Sequence, residues 1–173
     1  DEARGTCAAA RDGAGLVILD PCVGRGGLLV EAALSCPQSH SLIGVDDDVS
    51  QLSAAAAAAR RAGVASRLTL VHGDCTHLPL ADGSVDIVCV DLPFGKTHKA
   101  KATTLSQLYE LAVGEAARVC RPGGVLVALS THKHLLSRMV RTDGRWEPLS
   151  RHELSFGGLT ASAISARRRR HHQ

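Results

Sequence analysis

Short apolar runs alternate with longer helical segments along most of this chain, in the order expected of a doubly wound α/β domain. The apolar runs predict five buried strands, at residues 16–19, 42–45, 68–71, 85–90 and 125–129. Between and after them, alanine-rich composition and helical spacing of apolar positions predict helices at residues 28–35, 50–61, 105–119 and 134–140. The first five strands therefore belong to a mostly parallel sheet.

The end of the chain has a different pattern. Residues 146–154 and 159–165 are separated by Phe156-Gly157-Gly158, which predicts a closing antiparallel hairpin. The predicted fold is an α/β domain with a mostly parallel seven-stranded sheet and a C-terminal antiparallel hairpin. Its domain boundaries are a flexible lead-in at 1–15, a single folded domain at 16–165 and a basic tail at 166–173.

The length and cysteine content narrow the class of protein. The chain has 173 residues, enough for one domain with a sizeable core. Its six cysteines show neither a CxxC pair nor a Cys/His spacing typical of metal ligands, so we expect reduced thiols and no metal site. No secretory leader precedes the domain, and no apolar run approaches the ~18 residues of a membrane span. An intracellular protein, cytoplasmic or nuclear, is expected.

The positive charge is concentrated near one end. The net charge is +3, and Arg167 to Arg170 contribute four positive charges, which leaves −1 for the remainder. These arginines are interpreted as a solvated tail. If the protein binds nucleic acid, most of the electrostatic attraction must come from this tail, a local patch or another polypeptide.

A glycine-rich loop follows the first predicted strand, with the sequence Asp20-Pro21-Cys22-Val23-Gly24-Arg25-Gly26-Gly27. Glycines allow a ligand to approach the backbone closely, and the following helix start presents unpaired N–H groups. Gly24 and Gly26 fit the first two positions of the dinucleotide fingerprint, but Leu29 occupies the third. A ligand with a carboxylate and no phosphate is favoured, as in S-adenosyl-L-methionine. The candidate residues that bind this ligand are Asp20, Cys22, Gly24 and Gly26.

Two further acidic positions follow predicted strands. Asp46 ends the second strand, where a carboxylate can accept hydrogen bonds from both hydroxyls of a ribose. Asp47 is counted with this site, although Asp47 and Asp48 also suit the start of the next helix. Asp74 follows the third strand and could accept from the exocyclic amine of an adenine, with the Cys75 N–H donating to the ring. Asp46 alone does not distinguish NAD from S-adenosyl-L-methionine; the series of sites favours an adenosyl ligand.

Asp91-Leu92-Pro93-Phe94 follows the fourth predicted strand, at the sheet edge where ligands of open α/β folds bind. Methylation of an exocyclic amine requires acceptors that hold the nitrogen so that its lone pair faces the methyl donor. The Asp91 carboxylate and the Leu92 carbonyl can supply them. Pro93 fixes the loop, and Phe94 can stack on the base. The four residues are therefore the candidate catalytic residues.

The chain contains four motifs in the order Asp-Pro-x-x-Gly-x-Gly, Gly-x-Asp, Gly-Asp and Asp-Leu-Pro-Phe-Gly-Lys. Together they resemble the catalytic domain of THUMP-domain-containing RNA guanine-N2 methyltransferases. Phe156-Gly157-Gly158-Leu159 resembles that family's Gly-Gly-Leu in the last hairpin. The resemblance covers roughly residues 16–165. It implies a Rossmann-like class I methyltransferase that uses S-adenosyl-L-methionine to form N2-methylguanosine in tRNA or small nuclear RNA. It also implies a partner, the small zinc-binding activator subunit of such methyltransferases.

The chain also departs from this pattern. The sequence does not show the family's THUMP region or its segment just before the first strand, so an isolated or truncated catalytic domain is expected. Val23 and Gly27 replace a common Cys and Thr in the glycine loop. Two alternatives stay open. The same loop would suit another amine acceptor, adenine N6 or a glutamine amide, and the fold could serve as a non-catalytic scaffold that binds RNA or a partner.

Overall fold

The computed structural model describes residues 15–35, 41–92, 104–156 and 159–170. Almost all of the predicted lead-in, and the last three residues, lie outside these ranges. The described strands are β1 Val17–Asp20, β2 Ser41–Asp46, β3 Leu68–His72, β4 Val85–Asp91, β5 Cys120–Ser130, β6 Trp146–Phe156 and β7 Leu159–Arg168. The described α-helices are α1 Gly27–Ser35, α2 Val49–Arg61, α3 Leu105–Val119 and α4 Lys133–Thr142.

The strands form one seven-stranded sheet in the order β3-β2-β1-β4-β5-β7-β6. The first five strands pair in parallel, and β7 pairs antiparallel with both β5 and β6. The predicted fold is confirmed. Because β1 lies between β2 and β4, the strand order reverses beside β1, and such a switch point opens a crevice at the carboxyl ends of the strands.

Each face of the sheet packs against its own pair of helices. On one face, α1 and α2 cover β1 to β3 with a cluster that includes Leu29, Leu42 and Ala59. On the other, α3 and α4 pack over the larger cluster, in which Tyr109 and Trp146 are the largest fully buried side chains. Burying apolar area on both faces is the main stabilisation of such a sheet. Among the described residues, none of the helices has the length and hydrophobicity to cross a bilayer.

The helix predictions are close to the structure, and the local chemistry explains their start points. Asp48 caps α2 by accepting from the Ser50 N–H at 2.7 Å. Thr104 caps α3 in the same way, accepting from the Gln107 N–H at 3.2 Å. Side-chain acceptors at this position satisfy N–H groups that a helix start leaves free. The turn that joins Asp46 to α2 is also well defined, because the Asp48 N–H donates to the Asp46 Oδ1 at 3.0 Å.

The fifth strand is longer than the predicted residues 125–129. The strand begins at Cys120, and its pairing with β4 shifts register between Val85 and Ile87, so residues 121–124 form a bulge. Asp86, which is buried, holds this region together, because its carboxylate pairs with Arg121 and accepts from the Val17 N–H at 2.8 Å. A buried carboxylate needs such partners, and here they join β1, β4 and β5.

The predicted tail boundary is corrected by the structure. β7 continues to Arg168, so residues 166–168 are part of the sheet. The Arg168 side chain is only 9% exposed, and its Nε donates to the Ala117 carbonyl at the end of α3 over 2.8 Å. A helix end carries free carbonyls and partial negative charge, which favour a cation there. Arg169 is also held, since its backbone N–H donates to the Arg145 carbonyl at 2.8 Å.

Candidate functional site

Four acidic residues that the sequence analysis singled out lie along one edge of the sheet. Asp20, Asp46 and Asp91 are the last residues of β1, β2 and β4. Asp74 follows β3 by two residues. All four strands are parallel, so these positions share the carboxyl edge. The structure therefore brings the predicted cofactor residues and the first predicted catalytic residue to the same side of the domain.

The glycine-rich loop after β1 is fastened to the end of β2. The Val23 N–H donates to the Val45 carbonyl, and the Gly24 N–H donates to the Asp46 Oδ2, both at 2.8 Å. Gly24 and Gly26 have φ values of 50° and 82°, which side-chain-bearing residues rarely adopt. A Cβ on Gly26 would also lie 3.0 Å from the Ala55 Cβ of α2. Glycine at these positions lets the loop turn tightly against α2.

Asp46 organises the loop as well as facing the site. Its Oδ2 accepts from the Gly24 N–H, and its Oδ1 accepts from the Asp48 N–H at 3.0 Å. Each carboxylate oxygen has a second lone pair, so both can still accept from a ligand hydroxyl. Of the two following acids, Asp48 caps α2, and the exposed Asp47 lies on the cavity wall. The ring Nε2 of His72 donates to the Asp47 carbonyl at 3.1 Å.

A cavity of about 290 Å³, open to solvent, lies between the ends of β1, β2 and β3. Its walls include five predicted cofactor residues together with three that belong to the same loops or to α3. The lining residues are Pro21, Cys22, Asp46, Asp47, Gly73, Asp74, Cys75 and Leu108. A small concave site with a few convergent polar groups is the usual form of a ligand pocket. This cavity is the candidate cofactor site.

Asp74 and Cys75 form the far wall of this cavity. Asp74 Oδ1 accepts from the Thr76 N–H at 2.8 Å and from the Thr76 hydroxyl at 2.7 Å, which fixes the turn after β3. The Cys75 and Cys22 thiols are hydrogen-bonded to each other, and this contact, with burial second, raises the pKa of Cys22 well above its ordinary value. Cys22 therefore stays a neutral thiol at pH 7, and it contributes shape rather than charge.

Asp20 is a buried carboxyl at the centre of this edge, with 1% of its surface exposed. Its pKa is raised to about 7, chiefly by burial and to a smaller extent by the neighbouring Asp91 and Asp46 charges, against the lowering effect of the hydrogen bond that the Cys22 N–H donates at 3.1 Å. Near neutral pH the negative charge of the ionised Asp20 carboxylate is poorly compensated by the described residues. An ionised Asp20 would therefore be stabilised by a cationic ligand group.

Replacing Asp20 with asparagine should stabilise the fold at high pH. The folded pKa of about 7 lies above the ordinary 3.8, so the folded state retains a proton that the unfolded chain releases. As pH rises from about 4 to about 7, the free energy of unfolding of the wild type therefore falls relative to that of Asp20→Asn. The fall is up to about 1.4 kcal/mol per pH unit, and the difference between the two proteins is constant above pH 7. Urea unfolding of both proteins at pH 4.5, 6 and 8 measures this. A stability difference that does not grow with pH would contradict the burial of this charge.

Asp91 and Leu92 occupy the neighbouring strand end. Asp91 pairs in register with Leu129 of β5, and the Leu92 N–H donates to the Leu129 carbonyl at 3.0 Å. The Leu92 side chain is buried, whereas the Asp91 side chain is exposed at the edge. Partial loss of hydration raises the pKa of Asp91 above its ordinary value. Pro93 and Phe94, the other two predicted catalytic residues, lie outside the described residues.

A buried tyrosine, which the sequence pattern did not indicate as part of the site, lies behind this edge. The Tyr109 hydroxyl on α3 lies 2.6 Å from the Ser130 Oγ at the end of β5, and Ser130 Oγ accepts from the His132 N–H at 2.9 Å. Burial raises the pKa of Tyr109, with smaller raising effects of the Asp91 and Cys22 charges, against the lowering effect of the hydrogen bond with Ser130. Helical spacing identified α3, but it assigned Tyr109 no role, because the contact joins residues 21 positions apart.

The chain matches known protein families over most of its length. The profile of the family described as "UPF0020: RMKL-like, methyltransferase domain" matches residues 3–161. The U6 snRNA (guanine-N(2))-methyltransferase THUMPD2 of Bos taurus is 39% identical over 125 residues, covering 70% of this chain and 24% of that protein. The tRNA (guanine(6)-N(2))-methyltransferase THUMP3 of Bos taurus is 29% identical over 167 residues, covering 88% of this chain and 32% of that protein. The resemblance inferred from the motifs is confirmed.

A solved structure supports the fold. TrmN from Thermus thermophilus superposes with a TM-score of 0.77 at 24% identity, over 90% of this chain and 44% of that one. Identity at this level establishes shared architecture, which is the Rossmann-like sheet already described. The chain spans about a quarter to a third of the length of the two methyltransferase relatives.

Proposed function

Because this chain belongs to the UPF0020 family of RMKL-like methyltransferase domains, we propose that it transfers a methyl group from S-adenosyl-L-methionine to the exocyclic N2 amine of guanine in RNA. The observation that carries this proposal is the placement of Asp91 at the strand end next to the cavity that Asp46 and Asp74 line. Two ligands bound at these two places would meet at the carboxyl edge of the sheet.

The cavity residues fit the proposed cofactor. S-adenosyl-L-methionine supplies an electrophilic methyl group on a positively charged sulfonium. Asp46 has lone pairs free for ribose hydroxyls, and Asp74 Oδ2 accepts no hydrogen bond from the described residues, so it can accept from an adenine amine. Asp20, buried with a raised pKa, suits the cationic methionine part. The glycine loop lets the ligand approach the backbone at Gly24 and Gly26.

On the acceptor side, the residues act by positioning. Asp91 accepts a hydrogen bond from the guanine N2 amine, which localises a proton and turns the nitrogen lone pair toward the methyl group. The raised pKa of Asp91 increases its basicity, so the carboxylate can also take the proton that the amine loses after transfer. The Leu92 carbonyl is the second acceptor. The Leu92 N–H bond to Leu129 holds that peptide at the edge.

The relatives motivate the substrate and partner proposals. Both relatives described above carry RNA guanine-N2 methyltransferase names, one for U6 snRNA and one for tRNA. We propose that this chain acts on a tRNA or a small nuclear RNA, in the cytoplasm or nucleus. We also propose, from the family resemblance, that it pairs with the small zinc-binding activator subunit of such methyltransferases.

The test is transfer of a deuterated methyl group from S-adenosyl-L-methionine to total tRNA or small nuclear RNA, followed by nucleoside mass spectrometry. The reaction is run with and without the activator subunit. We expect the label in N2-methylguanosine. Label in N6-methyladenosine would replace the acceptor with adenine N6. The same reaction with added protein extract, analysed by peptide mass spectrometry, would reveal a glutamine acceptor through labelled glutamine. Cofactor binding without any transfer, in both reactions, would favour the scaffold alternative.

A further inference from the structure

The basic charge of this chain is concentrated in one part of the folded domain. Residues 132–170 contain nine Lys and Arg against three Asp and Glu, whereas residues 1–131 contain eleven against fourteen. These segments therefore have net charges of +6 and −3. The basic segment consists mainly of α4, β6 and β7, which lie together at one end of the sheet. The charge that the sequence analysis assigned to a solvated tail is thus part of a folded surface.

A groove runs along this surface between α4 and β6, with a volume of about 490 Å³. Its floor is apolar and includes the buried Val140 of α4 and Ile164 of β7. Leu149 lies at its margin with 43% of its surface exposed. The β6–β7 pairing shifts register between Pro148 and Ser150, so Leu149 is the extra residue of a bulge. The bulge interrupts the edge strand and forms one wall of the groove.

Two arginines border the groove on opposite sides. The Arg141 side chain, near the end of α4, is exposed and forms no hydrogen bond or ion pair with another described side chain. Arg151 of β6 donates from Nε to the Ser162 Oγ at 3.2 Å and from NH2 to Glu153 Oε1 at 3.0 Å. Glu153 also pairs with Lys133 at 3.2 Å. One carboxylate is therefore shared by two cations, and the groove retains a positive surface.

Arg151 lies close to the reaction edge, and the rest of the groove extends away from it. Arg151 pairs in register with Ile164 of β7, Ile164 with Ala128 of β5, and Ala128 with Val90, the residue before Asp91. The groove residues of α4 belong to its second half, and β6 contributes residues 148–151 from its first half. A polymer with one nucleotide at Asp91 would therefore place successive phosphates at Arg151 and then at Arg141.

We propose that the α4–β6 groove binds the phosphate backbone of the RNA substrate beside the nucleotide that is methylated, with Arg141 and Arg151 contacting phosphates. This inference rests on the proposed function, since that function supplies the RNA. Guanidinium groups bind phosphate through paired N–H donors, and riboses and unstacked bases can pack on an apolar floor. An acidic protein would satisfy the charge, but it would gain nothing from the proximity to Asp91.

The test compares Arg141→Ala/Arg151→Ala with Arg60→Ala/Arg61→Ala, a control pair of exposed arginines at the end of α2 on the other half of the sheet. The probe is a fluorescein-labelled, unmodified tRNA transcript, and the readout is anisotropy between 50 and 200 mM salt. For the groove variant we expect about tenfold weaker binding and a slope of log K against log salt that is reduced by about 1.4 to 1.8, as for two lost phosphate contacts. The KM for RNA should rise with kcat unchanged.

Several outcomes would overturn the groove proposal. RNA affinity and salt slope equal to those of the control pair would do so, as would weaker binding with an unchanged slope. Competition by polyglutamate as effective as by RNA would assign the groove to an acidic protein instead. Arg141→Lys/Arg151→Lys should restore the salt slope, and thermal melting establishes that the variants fold. Failure of the wild-type chain to bind the transcript, with or without the activator subunit, would contradict the proposed function itself. Failure to bind that is confined to the groove variant would be consistent with the proposed function.

Discussion

Replacing Asp91 with alanine is expected to lower the rate of methyl transfer at least about 100-fold, while the affinity for S-adenosyl-L-methionine changes by less than about twofold. The rate falls because the variant loses the carboxylate that orients the amine and takes its proton, an effect that typically accounts for about 10²- to 10⁴-fold. The affinity is retained because Asp91 is on β4, outside the walls of the cofactor cavity.

Single-turnover transfer and calorimetric titration of the cofactor measure these two quantities separately. Asp91→Asn should be intermediate in effect, since the amide oxygen still accepts a hydrogen bond but cannot take a proton. Glu31→Ala is a suitable control, because Glu31 is an exposed acid on α1 whose side chain accepts from Ser35 within the same helix. Transfer by Asp91→Ala at the wild-type rate would show that the amine is held by other groups.

Replacing Asp46 with alanine should weaken cofactor binding by about 100-fold and lower the free energy of unfolding. The variant loses the acceptor proposed for the ribose hydroxyls, and hydrogen bonds to charged groups contribute about 1.5–3 kcal/mol each. It also leaves the Gly24 and Asp48 N–H groups without their partner, which destabilises the glycine loop. We expect a fall of about 1–3 kcal/mol in the free energy of unfolding.

Asp48→Ala separates the two effects of Asp46→Ala. Asp48 caps α2 but is not part of the cavity wall, so its loss should lower the free energy of unfolding and leave the cofactor Kd unchanged. The measurements are urea unfolding and cofactor titration on both variants. Equal cofactor affinities for Asp46→Ala and Asp48→Ala would mean that Asp46 has only a structural role.

The sheet and the position of its reaction edge could be predicted because local patterns specify them. Four apolar runs are followed by acids at the ends of consecutive strands, and helical spacing gave α3 the bounds that the structure shows, Leu105–Val119. Parallel strands with helical connections place all their carboxyl ends at one edge. The sequence alone therefore placed four carboxylates at one edge of the sheet, those of Asp20, Asp46, Asp74 and Asp91.

The features that were missed depend on contacts between distant parts of the chain. The arginine run resembles a solvated tail, yet Arg168 reaches the end of α3, 51 residues earlier in the sequence. Asp86 has the local pattern of a strand interior, but its carboxylate joins three strands. Leu108 fits a core position of a helix and also lines the cofactor cavity. Local periodicity contains no information about such pairings, so only the folded chain reveals them.

The most direct test of the proposed function is titration calorimetry of S-adenosyl-L-methionine into this chain, alone and with the activator subunit, at pH 6 and pH 8. We expect one site per chain, bound more tightly at pH 8, because Asp20, with a pKa of about 7, is then ionised and attracts the cationic ligand. The Asp46→Ala variant should lose this binding. Absence of binding at both pH values, even with the activator, or equal binding by Asp46→Ala, would contradict the assignment of this edge as a cofactor site.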